Sequence, residues 1–412
     1  MHTIALLLLV ACGPSASDSA SGQPDTAPTW HADVHPIIEH SCVGCHTDDG
    51  IGGFSLTTFE AVSEWSIPVA ESVASHTMPP WGAGDDCNSY QNDFSLTEQE
   101  IDTILLWVES GTPEGDPDTA NTATPWQAPV LERVDATLEL PIDYAPKTTP
   151  DDYRCFIIDW PYDETVWVTG YEVQPGNEAI VHHVIPFIIA PEDVDTFQAL
   201  DEAESGEGYT CYGGPGGDIE SFKTSKWLGP WAPGGGAFQL PEGLGIEVPP
   251  GSIMVTQVHY NSTGSEGTDR SLLNLQVETQ PQKPVKFQPW ADISWLMGDM
   301  EIPAQSEGIV HGVSYEAAEP FQLYASHVHM HSLGVSGRVS VKKADGSERC
   351  VLDVPDWDFN WQRNYLLEEP IQIEAGETVD LTCAWDNPTD QDVNWGEGTS
   401  DEMCLMIMLK DE

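Results

Sequence analysis

Hydrophobic and polar residues alternate in short runs along the chain after residue 128. Clusters of Gly, Pro, Asn and Asp separate runs such as "DATLELP", "ETVWVTGYEV", "GSIMVTQVHY" and "GRVSVKKADGSERCVLDV". A period of two is typical of β-strands, and Asp345-Gly346 in the last run predicts a hairpin turn. Long amphipathic helical patterns do not occur there. Because the region is too long for one ordinary sandwich, we predict two antiparallel β-sandwich domains of jelly-roll type, at 129–285 and 286–412.

A helical pattern precedes these strands. "HADVHPIIEH" and "TEQEIDTILLWVESG" read as helices, and Thr97 with Glu100 forms a capping box at the start of the second. The residues expected to face inward on that helix are Ile101, Ile104, Leu105 and Val108. We therefore predict a small all-α domain at 29–116, joined to the first sandwich by a linker at 117–128.

The N-terminus predicts export. An apolar run, Ile4 to Val10, is too short to span a bilayer and fits the core of a signal peptide at 1–11. The following "LVAC" resembles a bacterial lipobox, which makes Cys12 the expected lipidation site and 12–28 a flexible tether. This predicts a lipid-anchored protein of the bacterial cell envelope, at the outer membrane and facing the periplasm or the surface. An ordinary secretory signal with an incidental cysteine is the alternative.

Charge narrows the class of partner. The chain has 14 basic and 68 acidic residues, a formal net charge of -54. Electrostatic binding to nucleic acid or to an anionic membrane needs clusters of Lys and Arg, so both are excluded. Contact with a membrane is expected through the lipid anchor only.

"SCVGCH" is a C-x-x-C-H haem attachment pattern. In this pattern Cys42 and Cys45 bond to the haem, and His46 becomes the proximal iron ligand. Met78, in the extended "SHTMPPW", is the expected second ligand, with His76 as its competitor. The region resembles a class I cytochrome c domain and implies one haem c per chain. A zinc half-site is the alternative.

The chain contains nine cysteines, which suits an oxidising compartment. Apart from Cys12 and the haem pair, six remain, and sequence alone leaves fifteen ways to pair them. They are Cys87, Cys155, Cys211, Cys350, Cys383 and Cys404.

Histidines concentrate at three places in the β-rich region. "VHHVI" contains His182 and His183, "TQVHYN" contains His259, and "HVHMH" spans 327–331. A period of two places the last three histidines on one strand face, and we expect them to continue an apolar stripe of Phe321, Leu323 and Ala325. A polar rim at a strand end is the alternative. Adjacent histidines point to opposite faces of a regular strand, so His182 and His183 can share a metal only at a bulge or strand end.

These motifs resemble those of the copper type II ascorbate-dependent monooxygenases, over about residues 130 to 412. In that family an adjacent His pair and the His of a "Q-V-H-Y" strand bind one copper. A His-x-His before "x-L-G" and the methionine of "D-E-M-C" bind a second. The matching residues here are His182, His183 and His259 for the first copper, and His329, His331 and Met403 for the second.

The resemblance implies two coppers per chain and a Cys383–Cys404 bridge. It also implies two β-sandwiches and ascorbate as a reductant. Three imidazoles suit a copper that passes electrons, while two imidazoles and a thioether favour Cu(I), the form that reacts with dioxygen. His329, His331 and Met403 are thus the expected catalytic residues. His327 lies outside the family pattern and is expected beside the ligands or, alternatively, as one of them.

The implied activity is hydroxylation of a C–H bond of a small organic molecule with dioxygen. Electrons would reach the copper at His182, His183 and His259 from the haem, from ascorbate or from both, and a redox donor protein is a further candidate partner. The family's peptide-acting member has an arginine where this chain has His327, so a peptide C-terminus is not the expected substrate. Two rival hypotheses are a non-catalytic copper-binding or electron-transfer lipoprotein and a haem sensor with a degenerate β-domain.

Overall fold

Helices lie mainly near the start of the structure, a computed structural model that describes residues 27–412 except 49, 51, 218–223, 234 and 263–265. The predicted signal peptide, Cys12 and most of the tether lie outside the described residues. The α-helices of this part of the chain are α1 (His35–Ser41), α2 (Phe59–Glu64), α3 (Ser66–Ala74), α4 (Glu98–Glu109) and α5 (Val194–Ala203). A π-helical turn, Trp30–Val34, precedes α1, and short 3₁₀ turns lie at Pro117–Thr119 and Trp295–Met297. None of the described helices is long and apolar enough to cross a membrane.

The first four helices pack around a hydrophobic core of their own. Its centre is formed by fully buried side chains of Ile38, Ile104 and Trp107, on α1 and α4. Helix α4 begins with the predicted capping box, in which Thr97 and Glu100 each bind the other's backbone amide. We refer to residues 29–116 as the helical module.

Strands form most of the regular structure in the described chain, which agrees with the predicted β-sandwich domains. The strands before residue 291 are β1 (Ala136–Glu139), β2 (Asp151–Asp159), β3 (Val166–Gln174), β4 (Val181–Ile189), β5 (Tyr209–Thr210), β6 (Lys226–Trp227), β7 (Phe238–Gln239), β8 (Leu244–Val248), β9 (Ile253–Asn261), β10 (Leu272–Glu278) and β11 (Lys283–Trp290). The later strands are β12 (Glu301–Ile302), β13 (Ser306–Glu316), β14 (Phe321–His329), β15 (Gly334–Lys342), β16 (Glu348–Val354), β17 (Tyr365–Ile373), β18 (Thr378–Asn387), β19 (Val393–Asn394) and β20 (Leu405–Asp411).

Two large hydrophobic cores lie between these sheets. The first is built mainly from β1 to β11, with β9 hydrogen-bonded between β2 and β4. The second lies under the four-stranded sheet β13-β18-β15-β16 and is closed by β14, β17 and β20. Strand β11 pairs with β8 at Lys283 and with β20 from Val285 onward, so the predicted boundary at 285 falls inside a strand that bonds to both β regions.

The helical module is attached to the second β region. A disulfide joins Cys87 to Cys350, and Tyr90 forms an isolated antiparallel bridge with Leu367. The amide of Gly82 donates to the hydroxyl of Tyr365 at 3.1 Å. The module is therefore held beside β16 and β17.

Three disulfides are present among the described residues. Besides the one that anchors the helical module, they are Cys155–Cys211 and the family-implied Cys383–Cys404. Cys42 and Cys45 are the free cysteines of the described chain.

Candidate metal centres

His182 and His183 lie on β4, opposite His259 on β9. His183 and His259 are direct partners in the antiparallel ladder, and a register shift between Val181 and His183 marks a β-bulge. The bulge allows two adjacent side chains to reach the same side, which a regular strand does not. The structure thus contains the irregularity that the sequence required for His182 and His183 to share a metal.

The three histidines converge through their Nδ1 atoms. His183 Nδ1 lies 3.4 Å from Nδ1 of His182 and 3.4 Å from Nδ1 of His259, and ligand atoms of all three lie within 4.8 Å of one another. Imidazole nitrogens that bind one tetrahedral metal ion at about 2.0–2.1 Å are separated by a similar distance. The three side chains therefore fit a single metal ion.

Asp151 on β2 fixes the tautomer of His259. Its Oδ1 lies 2.9 Å from His259 Nε2 and accepts from Thr399 Oγ1 at 2.9 Å. Because an ionised carboxylate only accepts, the His259 proton is on Nε2 and the Nδ1 lone pair faces the other histidines. Burial opposes the ionisation of Asp151, but hydrogen bonds from His259 and Thr399 outweigh it and lower its pKa to about 2.

All three imidazoles are neutral at neutral pH. Burial lowers the pKa of His182 to about 3 and that of His183 well below its usual value, and neighbouring histidines lower both further. Burial also lowers the pKa of His259, although Asp151 opposes this shift. A neutral ring keeps a lone pair for a metal at a pH where a solvated histidine is partly protonated.

The first testable prediction concerns the hydrogen bond between Asp151 and His259. Asp151→Asn should weaken copper binding by His182, His183 and His259 by roughly 10- to 100-fold, the usual effect of losing an outer partner of a metal-bound histidine. The amide keeps an acceptor oxygen but loses the charge that makes the ring basic. Titration of copper against a competing chelator, with Cu(II) followed by electron paramagnetic resonance, measures the effect.

Asp152→Asn is the matched control. This neighbouring carboxylate accepts hydrogen bonds from Tyr144 and from the Lys147 amide and none from a histidine. The control should lower the free energy of unfolding without changing copper affinity. Equal copper affinity in Asp151→Asn and the parent would contradict a role for Asp151 in orienting His259.

His329, His331 and Met403 form a second group of candidate ligands. His329 ends β14, and Met403 lies just before β20, whose Leu405 pairs with His329. The ring centroids of His329 and His331 are 5.1 Å apart, and Met403 lines the same cavity as both. Burial lowers the pKa of His329 to about 3 and that of His331 to about 4, so both rings are neutral.

Neighbouring groups fix the tautomers of these two rings. Gln362 donates through Nε2 to the Phe359 carbonyl at 3.0 Å, which turns its Oε1 toward His329 Nδ1 at 2.6 Å. His331 Nδ1 donates to the Asp401 carbonyl at 3.1 Å. Both rings therefore carry the proton on Nδ1 and leave Nε2 free for a metal. Gln362 was not found from the sequence, because no local pattern connects it to His329.

Glu402 is a second residue that sequence reasoning missed. This fully buried carboxylate accepts from the backbone amides of His331 at 2.9 Å and Leu333 at 2.6 Å, and from Trp385 Nε1 at 2.9 Å. Burial raises its pKa and these donors oppose the shift. Glu402 fixes the turn after His331 and immediately precedes Met403, so it positions two ligands at once. In the sequence, its position directly before the candidate ligand Met403 is the feature that could have indicated it.

A β-bulge in β14 corrects one expectation from the sequence. The register shifts between Leu323 and Ala325, so Phe321 and Leu323 pack in the second core with Val328, whereas Ala325 packs in the first. The predicted continuous stripe is therefore wrong for Phe321 and Leu323. His327, His329 and His331 do share one side, since all three line the same cavity.

His327 lies beside the second group of candidate ligands. It is buried, its ring centroid is 6.5 Å from that of His329, and its Nδ1 has no hydrogen-bond partner in the described structure. Burial lowers its pKa to about 3. A neutral, buried ring at this place forms part of the cavity wall.

The two groups of histidines are close neighbours. The ring centroids of His183 and His329 are 6.5 Å apart. Phe359 stacks on His182 at 4.6 Å and contacts His331 at 6.0 Å, so one aromatic ring touches both groups. An electron that passes between the groups would therefore cross only a few ångströms of packed side chains.

A cavity of about 230 Å³ opens at the point where the groups meet. Its walls are largely aromatic and apolar, and its charged lining groups in the described chain are Glu397 and Arg363. Burial raises the pKa of Glu397 to about 7. Trp81 of the helical module also borders the cavity.

The haem attachment pattern follows α1. Cys42 and Cys45 are half-buried thiols outside any disulfide. His46 Nδ1 donates to the Phe54 carbonyl at 3.2 Å, which leaves Nε2 free as an iron ligand would require. A side chain at Gly52 would collide with the His46 ring, since an added Cβ would lie within 2.4 Å of it. These features fit a c-type haem.

The two candidates for the second axial ligand differ in exposure. Met78 is half-buried, whereas His76 is exposed and lies 3.9 Å from Glu98. Exposure favours Met78, because a haem ligand has to lie under the ring rather than in solvent.

Sequence comparison assigns both β regions. The family model "Copper type II ascorbate-dependent monooxygenase, N-terminal domain" matches residues 140–266, and the corresponding C-terminal domain model matches 292–409, together more than half of the chain. The chain belongs to the copper type II ascorbate-dependent monooxygenase family. Membership indicates dependence on copper and ascorbate.

Individual relatives have low sequence identity to this chain. DBH-like monooxygenase protein 1 of Homo sapiens is 24% identical over 77% of this chain and 55% of its own length. Tyramine beta-hydroxylase of Caenorhabditis briggsae is 24% identical over 67% of this chain and 48% of its own. The chain thus spans about half the length of the curated relatives it matches. Among solved structures, the major capsid protein P2 of bacteriophage PM2 overlaps 67% of this chain and 96% of its own at 9% identity, but a TM-score of 0.27 is too low to indicate a shared fold.

Proposed function

We propose that this protein is a copper-dependent monooxygenase that hydroxylates a C–H bond of a small organic substrate. One atom of dioxygen enters the C–H bond, and the other is reduced to water by two electrons and two protons. The observation that carries this proposal is that His183, one of three converging imidazoles, borders the same cavity as the donors His329, His331 and Met403. Bound copper supplies one-electron transfer and the reduction of dioxygen.

The side chains have distinct roles in this proposal. His182, His183 and His259 hold the copper that stores an electron, and Asp151 keeps His259 in the ligating tautomer. The other copper is held by His329, His331 and Met403, where the soft sulfur favours Cu(I). The cavity wall excludes water and orients the substrate C–H bond toward the second site.

The helical module is proposed as an electron donor. Cys42 and Cys45 attach a haem, His46 and Met78 ligate its iron, and electrons reach the copper at the three histidines in place of, or alongside, ascorbate. The free thiols and the His46 tautomer support attachment. The disulfide that ties the module beside β16 supports a fixed position near the cavity.

The substrate is proposed to be uncharged or cationic. An apolar cavity of about 230 Å³ suits a small organic molecule with an apolar or aromatic body. Glu397, which lines that cavity, is a partner for a cationic group. One relative's name, tyramine beta-hydroxylase, describes action on an aromatic amine, and that class is the first to test.

Metal analysis combined with oxygen uptake tests this function. The purified full chain should contain two coppers and one haem, and should consume oxygen in proportion to added substrate when ascorbate or a reductant of the haem is present. His183→Ala should lose one copper and the coupled uptake. Copper bound without turnover on a broad panel of aromatic amines and neutral organics would instead support a copper carrier.

Anchoring is a separate proposal and the second testable prediction. Cys12→Ser should move the protein from the membrane fraction to the soluble fraction without changing its activity, because Cys12 lies in a segment with tether-like composition. Membrane fractionation with immunoblotting measures this. A parent protein that is already soluble would favour ordinary secretion.

A further inference from the structure

Residues 362–364 lie between the copper ligands and the helical module. Gln362 accepts from His329 Nδ1, and Asn364 donates to the Pro230 carbonyl at 3.0 Å. Arg363, between them, packs against the helical module instead.

Arg363 is held by aromatic rings of the helical module. Its guanidinium carbon is 4.7 Å from the ring centroid of Phe94 and 5.4 Å from that of Trp81. Stacking of this kind fixes the plane of a guanidinium and leaves its N–H groups at the edge for other partners.

No carboxylate of the described chain lies within ion-pair distance of Arg363, and no hydrogen bond from its side chain is found there. Four other arginines of this acidic protein do pair with carboxylates: Arg133, Arg154, Arg270 and Arg338. A half-buried guanidinium without an anion is costly, because burial removes hydration without replacing it. Burial accordingly lowers the pKa of Arg363.

The position of Arg363 connects both candidate sites. It lines the cavity of the copper ligands and also a second cavity of about 370 Å³, which His76, Thr77 and Trp357 border. Arg363 therefore stands between the helical module and the cavity of the copper ligands.

We propose that Arg363 is a carboxylate-binding residue, and that its ligand is a propionate of the haem attached at Cys42 and Cys45. The proposal rests on the haem attachment proposed above. A planar guanidinium matches a carboxylate in two parallel hydrogen bonds. Arg363 would hold the propionate, and its neighbour in the chain, Gln362, holds His329.

A substrate carboxylate is the other source of the same chemistry. Glu397 lines the same cavity, and its ionised form would repel a substrate anion. Phe94, the ring nearer to Arg363, belongs to the helical module and does not border that cavity. Both observations favour the haem as the source.

The third testable prediction follows. In the full chain with haem and copper loaded, Arg363→Gln should lower the haem reduction potential while covalent haem content, copper content and circular dichroism stay as in the parent. Loss of a positive charge beside a propionate stabilises the oxidised, more positive haem. Optical redox titration measures the potential, and Arg363→Lys, which keeps the charge, should recover much of the difference.

Arg338→Gln is the matched control, because this arginine of the same β region already pairs with Asp353. It should leave the potential unchanged. Titration calorimetry with benzoate, compared with neutral benzyl alcohol, tests whether Arg363 binds a substrate carboxylate instead. Loss of benzoate affinity by roughly tenfold or more in Arg363→Gln, with an unchanged potential, supports a carboxylate site but overturns the haem as its ligand.

Two further results are decisive. An unchanged potential together with unchanged benzoate binding overturns the proposal and leaves Arg363 as a packing group between Trp81 and Phe94. A parent chain without covalent haem refutes the haem part of the proposed function and the propionate as the ligand. In that case benzoate binding alone decides whether Arg363 binds carboxylates.

Discussion

Replacement of Met403 by isoleucine should abolish hydroxylation while leaving the fold intact. The substitution removes the soft sulfur but keeps volume and hydrophobicity, so the free energy of unfolding should change by less than about 1.5 kcal/mol. His329 and His331 alone hold Cu(I) poorly, so one copper per chain should be lost. Product formation should fall by more than the roughly 10- to 100-fold typical of losing an outer-shell partner.

Met406→Ile provides the matched control for this experiment. Met406 is fully buried in the second core, on β20, three residues after Met403. The same chemical change there should leave both coppers and the activity in place. Product formation and copper content are measured together. A Met403→Ile variant as active as the parent would reduce Met403 to a core residue. If the parent hydroxylates no substrate and Met403→Ile still loses one copper, the copper carrier is favoured.

Removal of both attachment cysteines should eliminate covalent haem. In Cys42→Ala or Cys45→Ala one thioether cannot form, and with both replaced no covalent haem should remain, as measured by haem staining of denatured protein. The β regions have their own cores, so they should still fold and bind two coppers. Activity with ascorbate should persist, while activity with a reductant of the haem alone should disappear.

The double variant Cys87→Ala/Cys350→Ala is the control for this result. It removes the disulfide between the helical module and the second β region but leaves the C-x-x-C-H pattern. Covalent haem should be retained. Covalent haem that persists without Cys42 and Cys45 would contradict the cytochrome c interpretation of the module.

The sequence predicted those features that depend on residues only a few positions apart in the chain. The spacing of His329 and His331, and of Cys42, Cys45 and His46, fixes their relative positions through backbone geometry alone. The capping box at Thr97 and the strand character of the β-rich region are local in the same sense. Such features could be predicted because the energies that determine them involve residues only a few positions apart.

β-Bulges limited how well the alternation of polar and apolar residues could predict which strand face a side chain occupies. A regular strand would separate His182 from His183 and would place Phe321 and Leu323 with the histidines. The register shifts in β4 and β14 reverse both outcomes. One inserted residue exchanges the two faces of a strand, and the hydrophobic pattern around it hardly changes.

The contacts of the supporting residues can be seen only in the folded chain. Asp151 is 108 residues from His259, Gln362 is 33 from His329, and Glu402 is 71 from His331. Asp, Glu and Gln are common at exposed positions, so their types alone give no signal.

The sequence by itself determined the ligand types, the family, the β-rich class of the fold and the haem attachment pattern. Only the tertiary structure decided which nitrogens face a metal, how close the two ligand groups lie, and that Arg363 stands between the helical module and the cavity. The physical reason is that local backbone geometry sets spacing within a motif. Relative positions of distant motifs follow from strand pairing and core packing, which no single segment specifies.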